Sequence, residues 1–315
     1  MFKLAIISLI IISAVFASGI PNEDVLFKKY QEFTIKYNKV YSSDLEFKLR
    51  FENFKNNFIE NAFSGKGITQ FFDLSKEEAQ KQNLTERLRC NPSNKVRSPL
   101  YPTSLLKDIP ESLDWRTNGK VSVIKNQSQL DTSFAFSSVA YLESQSLIKY
   151  NKMNLYSERQ ILECDTDTSH LMESALLYVE KYGIESEIDY GKGQEGACKY
   201  DPSKVISRVK SVRCYEDPSE LEIKTYLNQV GPLSIALSST DLSNYYGGVL
   251  NCKVNDKLDL GVLLIGYGSD SNNSPFWIIK NSWGTSWGER GFARISSVEG
   301  QNCGIGQYVV DADME

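Results

Sequence analysis

The stretch Phe276-Trp-Ile-Ile-Lys-Asn281-Ser-Trp283-Gly-Thr-Ser-Trp287-Gly-Glu-Arg-Gly-Phe292 decides how this chain is read. It opens on an apolar run, is broken by glycines and polar residues, and resumes in Gly291-Phe-Ala-Arg-Ile295, so two strands flank an irregular turn. Working outward, Gly231-Pro-Leu-Ser-Ile-Ala-Leu237, Gly261-Val-Leu-Leu-Ile-Gly-Tyr267 and Gln307-Tyr-Val-Val310 run or alternate apolar between glycines in the same way. These segments predict an antiparallel, barrel-like β half. Upstream the period changes. Asp131 or Thr132 can cap a helix over 133–149, with Phe136, Val139, Ala140 and Leu147 on its buried stripe. Residues 171–182, closed by Gly183, read as a second helix, and Asp217-Pro-Ser-Glu220 supplies a cap, a first-turn proline and an acid for a third. The fold class is therefore α+β, a helical half meeting a β half.

Nearer the N-terminus, residues 24–38 and 44–62 carry apolar residues at helical spacing, Phe27, Tyr30 and Phe33 in one and Leu45, Leu49, Phe54 and Phe58 in the other. They should pack as an antiparallel pair. Residues 87–108 are rich in Pro, Ser and basic residues without periodicity, as in an extended connector. Residues 1–17 combine Lys3, an apolar run and small residues at Val15 and Ala17, the pattern of a cleaved secretory leader, too short to span a bilayer. A secreted or endolysosomal destination follows, and disulfides are permitted there. The formal charge of −5 and pI near 5.3 come with dispersed basic residues, so nucleic acid and anionic membrane are not implied partners. No later apolar segment is long enough to span a membrane, and the roughly 300 residues left after the leader suggest two structural parts.

The segment around Asn281 and Trp283 resembles the part of papain-like, cathepsin-type cysteine proteases that supplies the asparagine orienting a catalytic imidazole. A second stretch, Leu113-Asp-Trp115-Arg leading into Val123-Ile-Lys-Asn126-Gln127-Ser-Gln-Leu130-Asp-Thr-Ser133-Phe-Ala-Phe136, resembles the oxyanion-glutamine and nucleophile segment of the same family. The resemblance covers nearly the whole chain and implies a two-lobed papain-like fold behind a helical inhibitory prodomain of cathepsin L type. Glu46, Arg50, Phe54 and Asn57 match the spacing of the helical prodomain signature, which is degraded at Asn61 and Gly65. Gly67, Phe71 and Asp73 resemble its following motif, with Thr69 where asparagine is usual. The organisation so implied is a leader over 1–17, a prodomain over 18–107 and a papain-like domain over 108–315. In relatives the prosegment lies backwards along the cleft; a prosegment retained only because the mature domain needs it to fold is an equally serviceable reading.

The family's nucleophile is a cysteine at a helix N-terminus, where the dipole and an imidazolium stabilise its thiolate. Ser133 stands at that position, and a hydroxyl needs a positioned general base. The base position immediately before Gly261 holds Leu260, which accepts no proton. Gln127 and Asn281 survive, but without an imidazole Asn281 has nothing to orient. Loss of such a coupled unit costs on the order of a millionfold in rate, so none of Gln127, Ser133, Leu260 and Asn281 is expected to act catalytically, and Ser133→Ala is expected to be silent. The single histidine of the chain, His170, lies in a loop that is shorter than in relatives and lacks their paired glycines. A solvent-facing residue is the favoured reading; a rewired Ser133–His170 hydrolase is the competing one. Neither a metal site nor a cofactor is expected.

By resemblance, Cys164 pairs with Cys198 and Cys252 with Cys303. The bridge that relatives carry beside the nucleophile is missing, Leu130 standing in one of its positions. Cys90 and Cys214 are left over, free to pair with each other, stay thiols or link to another chain. Asn83 and Asn126 head glycosylation sequons, the second beside Gln127, where a glycan would obstruct the cleft. The leading reading is a catalytically inactive papain-fold protein that binds a protease, a protease inhibitor or a peptide. The alternatives are a residual hydrolase using Ser133 and a storage or structural protein, for which the sequence offers no positive sign.

Overall fold

The computed structural model describes residues 21–37, 39–61, 68, 72–75, 78, 88–95, 109–127, 132–167, 169–191, 196–252 and 258–315. The expected leader, Asn83, Gly65, Gly67, Thr69, Phe71, Ser128, Leu130 and Asp131 lie outside them. The chain divides into two compact units, one formed by Met1–Lys81 with Leu242–Tyr246 and the other by Gln82–Asp241 with Gly247–Glu315.

In the first unit, α1 (Glu23–Lys36) and α2 (Asp44–Asn61) pack together, α1 starting at an Asn22 cap whose side chain accepts the Val25 N–H. Their shared core is aromatic: Tyr30, Phe33, Phe54 and Phe72 are buried, with Phe47, Phe51 and Phe58 against them. The expected stripe through Leu45 and Leu49 is corrected here. Both leucines are exposed, at 79% and 53%, because the phenylalanines at 47, 51, 54 and 58 recur at the same helical spacing and bury larger rings. The signature residues form a polar frame: Arg50 pairs with Glu78 at 2.8 Å, Asn57 Nδ2 donates to the carbonyls of Phe72 and Leu74 at 2.9 Å each, and Asp73 accepts from Lys39 and Tyr41.

The second unit begins with the short β1 (Leu113–Asp114) and then α3 (Ser133–Tyr150), α4 (Glu158–Cys164) and α5 (Met172–Tyr182). It continues through β2 (Ile184–Glu185), α6 (Glu187–Tyr190), β3 (Val205–Ser207), β4 (Val209–Tyr215) and α7 (Glu220–Gln229). Then follow β5 (Leu233–Leu237), β6 (Val249–Leu250), β7 (Leu260–Ser269), β8 (Pro275–Lys280), β9 (Phe292–Ser296) and β10 (Val309–Met314). The main sheet runs β4-β10-β5-β7-β8-β9-β6 with β1 on β7, antiparallel except where β6 meets β9. β4 was not read from the sequence. The cap of α7 is Ser219, in a capping box with Glu222, so Pro218 precedes the cap instead of occupying the first turn.

The central element is α3, buried on nearly every side from Ser133 to Leu147 and packed on β7, α5 and β5. Its Tyr141 hydroxyl accepts the Ala312 N–H at 2.9 Å on β10, tying helix to sheet. Disulfides join Cys164 to Cys198, Cys252 to Cys303 and Cys90 to Cys214. Of the three fates open to Cys90 and Cys214, the structure selects their mutual bridge. No described helix is long and apolar enough to cross a membrane.

Candidate functional site

Three backbone elements converge at the site: the first turn of α3, the start of β7 and the turn after β8. Thr132 is the N-cap of α3, in helical φ/ψ and without a side-chain cap bond, so Ser133 opens the helix with its side chain turned to the sheet. There its Oγ accepts the N–H of Gly261 at 3.0 Å, in a buried contact. The approach is close: a Cβ on Gly261 would lie 3.0 Å from the Ser133 carbonyl oxygen and 3.1 Å from Met172 Sδ. Sequence positions 133 and 260–261 are thus brought together by α3 packing on β7.

Leu260 is 2% exposed and pairs with Leu237 on β5. An apolar side chain therefore fills the place where the resemblance implies an imidazole. Asn281 follows the end of β8, with its N–H donating to the Gly291 carbonyl at 3.0 Å. Its Oδ1 accepts the Ser282 N–H at 2.8 Å, while its buried Nδ2 has no partner among the described residues. The Ser282 hydroxyl in turn donates to Gln127 Oε1 at 2.5 Å, and the Gln127 N–H donates to the Ser282 carbonyl at 2.8 Å. Asn281 and Gln127 are both held by the same turn. Trp283 and Trp287 are fully buried and meet edge to face, 5.3 Å apart. Asn126 is exposed beside them, its backbone bridged to Trp283.

His170 has a left-handed backbone, φ 52°, and its exposed ring stacks on Phe134 at 5.2 Å with 7° between planes. The expectation of a solvent-facing loop residue holds for exposure but misses this contact, which sets the ring against the neighbour of Ser133. Among the described residues the Ser133 hydroxyl bonds to Gly261 and not to His170.

Beneath the turn lies a charge cluster the sequence reading missed. Lys280 Nζ donates to Ser122 Oγ at 2.6 Å, Ser122 donates to Glu143, and Lys125 pairs with Glu143 at 2.8 Å and Glu158 at 2.6 Å. Burial pushes the Lys280 ammonium down to about 8, against the attraction of Glu143, and pushes the Glu158 carboxyl up to about 7. Burial also pulls on Lys125, but the two glutamates outweigh it and hold its ammonium charged. The signal was available in Trp277-Ile-Ile-Lys280: a lysine closing an apolar buried strand requires polar partners for its ammonium. A cavity of about 10 Å³ between Phe136, Ser137, Gly261, Lys280, Asn281 and Ser282 has room for about one water. Among the described residues no group of three or more His, Cys, Asp or Glu could hold a metal ion.

Residues 109–312 match the family model described as papain family cysteine protease. Among curated relatives, a viral cathepsin of Cydia pomonella granulosis virus is 34% identical over 305 residues, covering 90% of this chain and 89% of the relative. Cysteine proteinase 15A of Pisum sativum is 33% identical, covering 89% and 84%. Among solved structures, digestive procathepsin L 3 from the larval midgut of Tenebrio molitor has a TM-score of 0.77 at 31% identity, covering 91% of this chain and 99% of the other. A recombinant stem bromelain precursor has a TM-score of 0.81 at 28% identity, covering 92% and 99%. With this fold, this arrangement of Gln127, Asn281 and Trp283, and these matches along most of its length, the chain belongs to the papain family of cysteine proteases.

Proposed function

We propose that this chain is a papain-fold protein without peptidase activity that acts by binding. The observation carrying the reading is the state of Ser133: its hydroxyl is a buried acceptor for the Gly261 N–H, and the adjacent strand position offers Leu260. A serine attacks a carbonyl only when a base withdraws its proton. The proton donor for a leaving amine is missing for the same reason. The Lys280 ammonium, although depressed to about 8, is committed to Ser122 and does not serve Ser133. The relatives carry the names cathepsin and cysteine proteinase, and the family fold is shared; the departures that bear on the chemistry are the side chains of Ser133 and Leu260. The partner classes suited to such a scaffold are a protease, a protease inhibitor or a peptide, met after export to a secreted or endolysosomal compartment.

A second reading has one observation in its favour, the stacking of His170 on Phe134 next to Ser133. In it Ser133 is a residual nucleophile with His170 as base. Hydrolysis of a diverse fluorogenic peptide library by the purified protein, from acid to neutral pH and beside Ser133→Ala and His170→Gln, separates the two. No turnover by any of the three is the expected result. Turnover by the parent that disappears in both variants overturns it.

A further inference from the structure

Residues 88–95 were assigned from sequence to the prosegment, yet they are built into the second unit. Leu88 and Cys90 are buried, and Cys90 is bridged to Cys214 on β4, with Cα atoms 5.6 Å apart. Lys95 pairs alongside Cys214 in a parallel bridge, and the Cys214 N–H donates to the Asn94 carbonyl at 3.0 Å. The segment thus meets the outer edge of β4, the end of the main sheet, at Cys214, whose N–H would otherwise be a free edge donor.

Two buried carboxylates hold it in addition. Glu216 accepts the Cys90 N–H at 2.7 Å and pairs with Lys95 and with Arg89. Glu173 accepts the Asn91 N–H at 3.0 Å and Asn94 Nδ2 at 3.1 Å, while the Tyr308 hydroxyl donates to the same carboxylate. Charge-assisted bonds of this kind to backbone N–H groups are among the stronger ones in proteins. The resemblance to papain-like proteases left both cysteines unassigned: Cys90 lies near the start of the connector read over 87–108, and Cys214 well downstream of it.

We propose that the Leu88–Lys95 segment is a dock by which the second unit keeps the N-terminal unit covalently, so that cutting the connector downstream of the dock, over 96–108, yields a two-chain molecule and not a shed propeptide. Cleavage there consumes one water, breaks one peptide bond and leaves the Cys90–Cys214 bond intact. Release needs a dithiol or phosphine reductant, whose two electrons, with two protons, convert the bridge to two thiols. After a cut at that place the N-terminal unit stays part of the protein, present at the high effective concentration of a tethered partner.

The test uses the full chain with the recognition sequence of a site-specific protease inserted between Pro102 and Thr103. After complete cutting, denaturing non-reducing analysis is expected to give one species with the mass of the uncut chain plus one water, and reduction two fragments. In native size exclusion at nanomolar concentration the cut protein should retain residues upstream of Pro102 without reductant, whereas cut Cys90→Ser/Cys214→Ser protein loses them. If that double variant does not fold, reduction of the cut parent under native conditions takes its place and should release the fragment. Separation of the cut parent without reductant overturns the proposal. So does finding Cys90 or Cys214 as a free thiol by non-reducing peptide mapping, or equal retention by the bridge-free protein.

Discussion

Replacing Ser133 by alanine gives the most direct measure of what the site has become. From sequence the change is expected to be silent, since a serine without a base does no chemistry. The structure leads to a different expectation for stability: Oγ is the acceptor for the buried Gly261 N–H at 3.0 Å, and the methyl of alanine leaves that donor unpaired inside the α3–β7 contact. A buried N–H left without a partner costs about 1–3 kcal/mol. Taking about 2 kcal/mol, the melting temperature of a unit this size should fall by about 4–8 °C. Amide exchange at Gly261 should quicken by about 30-fold, since each 1.4 kcal/mol is a factor of ten. Thermal unfolding and amide exchange with Ser133→Thr as a hydroxyl-bearing control make the assay, run beside peptide hydrolysis. Unchanged Gly261 protection in Ser133→Ala would refute the structural role of the hydroxyl, and lost hydrolysis would refute the absence of a catalytic one.

Installing the side chains that the resemblance implies, Ser133→Cys with Leu260→His, is expected to recover little peptidase activity, because the loop carrying His170 also departs from the family pattern in length and in its glycines; robust cleavage of fluorogenic peptides would show that the groove is intact. The Glu158 carboxyl, raised from 4.5 to about 7, stays protonated in the folded chain after the unfolded chain has lost its proton. Stability from this group therefore falls as pH rises from about 4.5 to 7, by a contribution on the order of 3 kcal/mol. Urea midpoints at pH 5 and 7.5 should accordingly diverge less in Glu158→Gln than in the parent, and equal divergence would dismiss the effect. Gly291 has φ +93°, and a Cβ there would lie 2.6 Å from the Ile124 side chain. Gly291→Ala is thus expected to destabilise by about 2–4 kcal/mol in chemical denaturation, from left-handed strain and overpacking together; a neutral result would mean the turn can shift. Intact mass before and after glycosidase should show a glycan on exposed Asn126, and an unmodified residue would remove the idea that sugar covers this edge of the site.

The sequence alone determined the repeating local patterns. Apolar runs between glycines placed β5, β7, β8, β9 and β10, helical spacing placed α1, α2, α3 and α5, and two motif segments pointed to one family, because each of these signals is written within a few turns or a single strand. The identity of Ser133 and Leu260 was likewise legible, being a matter of which side chain occupies a position. What only the tertiary structure decided involves partners far apart in the chain. That the aromatic stripe of α2 displaces Leu45 and Leu49 from the core depends on which face α1 covers. That Ser133 serves Gly261 depends on a helix meeting a strand 128 residues away, and that Lys280 finds Ser122 depends on a separation of 158. The pairing of Cys90 with Cys214, 124 residues apart, has the same origin. Periodicity reports which face of an element is apolar, but not which buried polar group will meet which, since that match is made only when the elements pack and desolvate their hydrogen-bonding groups.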